Sequence, residues 1–134
     1  MVGRTKAEGI EIFDGEVKDV TIEPSQREDI SGEQIHIQIE PLDKSLLKDS
    51  KTGCMHEWIR LSPKSTDTTV PEGSTADNYI QEIESVIPEA KKIELVAQVF
   101  NIIKGRKFTF VQKRLGKSFK GYEAKNYWVP KKEL

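Results

Sequence analysis

The chain holds two histidines, His36 and His56, and a single cysteine, Cys54. Cys54 and His56 flank Met55, a spacing that would offer two ligands to a metal ion. A zinc site takes about four ligands, usually at other spacings. A loop cysteine beside a strand-start histidine is therefore the expected arrangement. The sequence contains no glycine-rich phosphate loop, no G-x-S-x-G and no H-E-x-x-H. Carboxylates crowd the first part of the chain, but no pair is spaced for acid–base work. These residues predict no catalytic group, no metal and no cofactor, and so no enzyme.

A different chemistry is written at the other end. Ten of the 21 Lys and Arg residues, but only two of the 22 Asp and Glu residues, fall between Lys104 and Leu134. The net charge of −1 hides this polarity. Phe108, Phe110, Phe119, Tyr122, Tyr127 and Trp128 lie among the same cations. Cations follow a phosphate backbone, and flat rings stack on bases.

The elements that must position these residues follow from periodicity. Phe13, Gly15 and Val17 alternate with polar residues, and the phase then slips to Val20 and Ile22. Such a slip predicts a β-bulge, or a bent strand turning a corner at Gly15. Gln34 to Glu40 alternates without fault, with isoleucines inward and Gln34, His36 and Gln38 outward. A charged connection from Leu42 to Gly53 has room for a helical turn at Leu46 and Leu47. His56 to Leu61 makes a third strand, with Ile59 and Leu61 on one face and Trp58 and Arg60 on the other. Ser62 to Thr75 is a long irregular loop, expected to be mobile or functional.

Two helices are expected next. One starts at Ser74 or Thr75, capped through Asp77, and ends at Pro88. The other runs from Glu89 to about Lys104, ahead of Gly105, although its β-branched residues would also suit a strand. Lys107 to Val111 and Tyr122 to Pro130 complete the set as strands four and five. Phe108 and Phe110 share a face at strand spacing and are expected in the core. Trp128 and Val129 point to opposite faces, so either could be the buried one. The expected class is mainly β with a helical insert, in the order β-β-β-α(α)-β-β. At 134 residues one domain suffices. It is expected to span residues 11–130, between a disordered tail at 1–10 and a basic tail at 131–134.

FDGEVKDVTIE, GEQIHIQIEP and the ending GRKFTFVQKRLG…YWVP resemble small single-stranded-DNA-binding OB-fold proteins of archaeal and phage type. The resemblance covers Phe13 to Pro130 through degenerate motifs, and the helical segment is longer than a plain OB-fold requires. It implies a five-stranded OB-like barrel and an oligonucleotide ligand, and it assigns no residue to a contact. In such barrels strands two and three and the loop between strands four and five form the usual ligand surface. Single-stranded nucleic acid, DNA favoured, is thus the expected partner. Trp58, Phe119 and Tyr122 would stack on bases; Arg60 lies beside Trp58, and Lys113, Arg114, Lys117 and Lys120 would meet phosphates. If the long loop or the helices instead cover Trp58, that ring is structural.

The alternative is an assembly module, in which acidic and basic patches join copies of the chain or a protein partner. No apolar run reaches membrane-spanning length, so no membrane partner is expected. The absence of an apolar stretch near Met1 and the lone cysteine point to the cytoplasm.

Overall fold

A computed structural model of the chain describes residues 11–24, 33–47, 53–115 and 125–134. Five antiparallel strands form one sheet: β1 (Ile12–Pro24), β2 (Glu33–Pro41), β3 (Met55–Arg60), β4 (Lys107–Arg114) and β5 (Asn126–Glu133). Their order is β3-β2-β1-β4-β5. Two helices, α1 (Thr75–Val86) and α2 (Val96–Asn101), lie between β3 and β4 in the chain. The mainly β fold with a helical insert is as expected. The sheet is open among the described residues: β3 and β5 are its two ends, and no ladder joins them there.

β1 serves two neighbours. Its first part, Ile12 to Glu16, pairs with β4, and Gly15 to Pro24 pairs with β2. The predicted slip is a bulge at Lys18, because Val17 faces Ile39 while Asp19 faces Gln38. The bulge is pinned from outside the sheet. Val17 N–H donates to the Arg106 carbonyl at 2.9 Å, and Gly105 N–H donates to the Val17 carbonyl at 2.8 Å. Gly105 has φ +80, the left-handed conformation that glycine adopts without cost. At the overlap Gly15 is buried so tightly that a side chain has no room.

The first predicted helix is α1. Ser74 Oγ accepts the Asp77 N–H at 3.2 Å, and Asp77 Oδ2 accepts the Gly73 N–H at 2.9 Å. These reciprocal bonds satisfy N–H groups that a helix start leaves open. Its buried stripe is Ala76, Tyr79 and Ile83, continued by Ile87. The second predicted helix breaks into two pieces. Pro88–Lys92 is a 3₁₀ turn, Ile93 to Leu95 are irregular, and only Val96–Asn101 is α-helical. The cause is a tertiary bond: Val96 N–H donates to the Asp67 carbonyl at 2.8 Å, with Leu95 extended before it. The Ser62–Thr75 loop is itself hydrogen-bonded, with Thr66 and Thr69 joined through backbone and hydroxyls.

Strand β5 departs from its predicted form in two ways. Trp128, Val129 and Pro130 are all buried, because α1 packs against β5 and covers what would have been its outer side. Tyr79 Oη donates to the Trp128 carbonyl at 2.7 Å within that contact. The strand also runs on to Glu133, so Lys131 and Lys132 lie on it, not in a tail beyond it. The Leu134 N–H to Lys107 carbonyl bond and the Arg106–Glu133 ion pair secure this end. Residues 1–10, expected as a tail, lie outside the described residues.

The gap between β3 and β5 is bridged by a side chain. Glu57 sits opposite Ile37 on the core face of β3 and is only 4% exposed. Its Oε1 accepts the Trp128 N–H at 3.0 Å, while Oε2 is buried with no hydrogen-bond partner among the described residues. Burial raises the Glu57 carboxyl above its usual range, against the Trp128 N–H and Lys125, which both lower it. The folded chain thus binds this proton more tightly than the unfolded chain. From about pH 4.3, the unfolded glutamate value, stability falls as pH rises through the folded value, and the loss persists above it. Glu57→Gln keeps the acceptor and removes the charge. It is expected to melt higher than wild type at neutral pH, with the two curves converging as pH falls towards about 4. A constant difference across that range contradicts the assignment.

Candidate nucleic-acid interface

The register of β2 and β3 builds a ring cluster on the outer face of the sheet. His36 lies directly opposite Trp58, and Gln38 lies opposite His56. The rings stand nearly parallel. Centroid distances are 4.7 Å for His36–Trp58, 5.1 Å for His36–His56 and 5.4 Å for His56–Trp58, with interplanar angles of 10°, 25° and 15°. His36 Nε2 and His56 Nδ1 are 2.8 Å apart, so one hydrogen lies between them. Trp58 keeps 42% of its surface exposed despite this stacking. Neither the Ser62–Thr75 loop nor the helices bury it.

Polar groups frame the rings. Gln34 is opposite the exposed Arg60 at one end of the cluster. Gln34 Nε2 donates to Glu23 Oε1 at 3.0 Å, and Glu23 Oε2 lies 3.9 Å from His36 Nδ1. Burial and the neighbouring His36 hold the His56 imidazole below the ordinary histidine range. At the other end, burial and Glu40 raise the Cys54 thiol, with Lys18 opposing them. A raised thiol is a poor nucleophile at neutral pH.

The basic residues divide into two groups. Arg60 shares the outer face of β2 and β3 with Trp58 and the histidines. Lys113 and Arg114 stand at the end of β4, opposite Tyr127 and Asn126, where they begin the β4–β5 hairpin. Lys113 Nζ is bound by Glu82 Oε1 of α1, and a cleft of about 380 Å³ between α1 and β4 lies beside them. Lys104 pairs with Asp19 and Arg106 with Glu133, so part of the basic block is spent on internal ion pairs. Among the described residues Arg60 and Arg114 enter no ion pair. Lys117, Phe119, Lys120 and Tyr122 lie outside the described residues.

The two groups are not remote. Glu57, the neighbour of Trp58, bonds to the Trp128 backbone, and Trp128 adjoins Tyr127. Lys125 is close enough to lower the Glu57 carboxyl, and its Nζ sits 5.1 Å from the Tyr127 ring centroid. The β5 side of the hairpin base therefore stands across the gap from β3, the strand that carries Trp58.

Phe108 and Phe110 are fully buried, as expected of core rings. Local pattern does not reveal the stacking of the two histidines with Trp58. His36 faces outward by alternation, but its place on Trp58 depends on the β2–β3 register. Glu57 was legible in principle, since Ile59 and Leu61 set a period of two that turns it inward. Among the described residues no group of three or more His, Cys, Asp and Glu is arranged to hold a metal ion. Compared with protein-family models, curated proteins and solved structures, the chain finds no match in any of the three.

Proposed function

We propose that the chain binds single-stranded nucleic acid, DNA favoured, without catalysis, on the outer face of β2 and β3. The observation that carries this reading is the Trp58 ring, exposed on a strand face, braced by two histidines and flanked by Arg60. A solvent-facing tryptophan held in a fixed orientation offers a base a stacking surface at little entropic cost. Gln34 and Gln38 add donors and acceptors within reach of base edges.

Phosphates would be met by Arg60 on β3, and by Lys113 and Arg114 at the hairpin base. Lys117 and Lys120 extend that set along the sequence, with Phe119 and Tyr122 as further stacking rings. Lys113 must first leave Glu82, whose side chain is half-buried against an exposed lysine. On this reading the strands form an OB-like barrel. The order β3-β2-β1-β4-β5 closes if β3 meets β5, and the Glu57–Trp128 bond already spans that gap.

A labelled oligo-dT titration at low and high ionic strength tests the reading. Binding is expected, with a log–log salt slope near −2 if about three phosphates are neutralised. Salt-sensitive self-association without oligonucleotide binding overturns it.

A further inference from the structure

Resting on the binding reading above, we propose that His36 and His56 form a one-proton switch on the Trp58 platform. Uptake of a proton on His36 adds a cation beside the indole and tightens the hold on single-stranded nucleic acid.

The geometry limits the pair to one extra proton. Only one hydrogen fits between His36 Nε2 and His56 Nδ1 at 2.8 Å. If both rings were charged, two N–H groups would point at each other at that distance. The surroundings choose His36 for the charge. Its second nitrogen, Nδ1, lies 3.9 Å from Glu23 Oε2, and Gln34 fixes that carboxylate from the other side. As a cation His36 donates from Nε2 to His56 Nδ1 and presents Nδ1–H to Glu23. His56 then stays neutral, in keeping with the burial and His36 charge that disfavour its protonation.

Among the described residues, the carboxylates of β1 and β2 nearest the pair, other than Glu23, are already held by lysines. On β1, Asp19 pairs with Lys104 at 3.3 Å. On β2, Glu40 is held by Lys18 and Lys44. Just before β3, Cys54 carries a raised thiol, and on β3 Arg60 is always charged. Among the described residues Glu23 and Arg60 therefore cancel while His36 is neutral, and a proton on His36 makes this set net positive. The charged ring also lies parallel to the Trp58 indole at 4.7 Å, where a cation is favoured over the π face.

The test has two parts. Oligo-dT, whose bases do not titrate in this range, is bound from about pH 7.5 to about pH 5.5 at fixed ionic strength. Wild-type affinity is expected to rise on acidification, by at most about tenfold per pH unit, the limit for one proton. His36→Gln and Glu23→Gln should flatten that slope. Separately, the ring C–H resonances of the free chain should show one imidazole titrating and the other following only at more acid pH. Binding that is pH-independent, or equally pH-dependent in His36→Gln, overturns the link. Two equal and independent titrations overturn the shared proton. Failure to bind oligo-dT at any pH overturns the binding reading and the link together, while the resonances still decide the sharing.

Discussion

Trp58→Ala is expected to weaken oligo-dT binding by roughly 1–3 kcal/mol, or about five- to 150-fold, the general scale for one base-stacking ring. The same change should leave thermal stability within about 0.5 kcal/mol of wild type, since it removes a surface side chain away from the core. This separation of affinity from stability is what makes the variant informative. The indole stands on the outer face of β3 with 42% of its surface exposed, while its strand neighbours Glu57 and Ile59 are buried. The strand is thus held by its inner face. Loss of the outer ring removes the stacking surface and leaves His36 and His56, smaller rings that each expose less. Trp58→Phe should recover part of the affinity. Equal affinity of wild type and Trp58→Ala, measured by fluorescence polarisation, would rule out stacking at this site.

Gly15→Val is expected to be the most damaging single change to the fold, costing about 3 kcal/mol and lowering the melting temperature by roughly 10 °C. Gly15 lies where β1 pairs with β2 and β4 at once, opposite both Pro41 and Phe108. A Cβ built there would sit 2.8 Å from Phe13 Cε2, 2.9 Å from Ile39 Cγ2 and 3.1 Å from the Glu40 carbonyl oxygen. Phe13 cannot swing away, because it stacks on Phe110 and meets Trp128 edge-on. Ile39 is fully buried. The clash must therefore be relieved by moving backbone, at the one place where the two halves of the sheet share a strand. Gly105 provides the comparison. Nothing lies within 4 Å of a Cβ there, so alanine meets only the left-handed φ penalty of about 1–2 kcal/mol. Circular-dichroism melts of the two variants should rank them in that order, and a Gly15→Val melt equal to wild type would contradict the packing described.

These two residues also show what a sequence can reveal. The flawless alternation of Gln34–Glu40 fixes which face of β2 is buried, because a period of two leaves no other solution. The phase slip after Val17 locates the bulge to within a residue, and Ser74 with Asp77 marks the start of α1. The outward placement of Trp58 and Arg60 follows from Ile59 and Leu61 by the same alternation. Where the outcome depends on partners, local pattern is silent. The break before α2 comes from the Asp67 carbonyl, far away in sequence. Burial of both Trp128 and Val129 comes from α1 lying on β5. The ring cluster needs His36 opposite Trp58, and a slip of one residue in the β2–β3 register would disperse it.

The charge polarity of the chain acquires a sharper meaning on this sheet. Of the basic block, Lys104, Arg106 and Lys113 hold the fold's own carboxylates. Arg114 and Lys125 remain at the hairpin base, with Lys125 close enough to Glu57 of β3 to lower its carboxyl. The proposed interface is thus a ring platform with a cationic border, not a basic tail.

The most direct measurement is the polarisation titration of labelled oligo-dT set beside a duplex of equal length, at low and high salt. The account predicts that the single strand binds and the duplex binds more weakly, because paired bases cannot stack on Trp58, and that added salt weakens both. Equal affinity for single strand and duplex, or no salt-sensitive binding at low ionic strength, would contradict it.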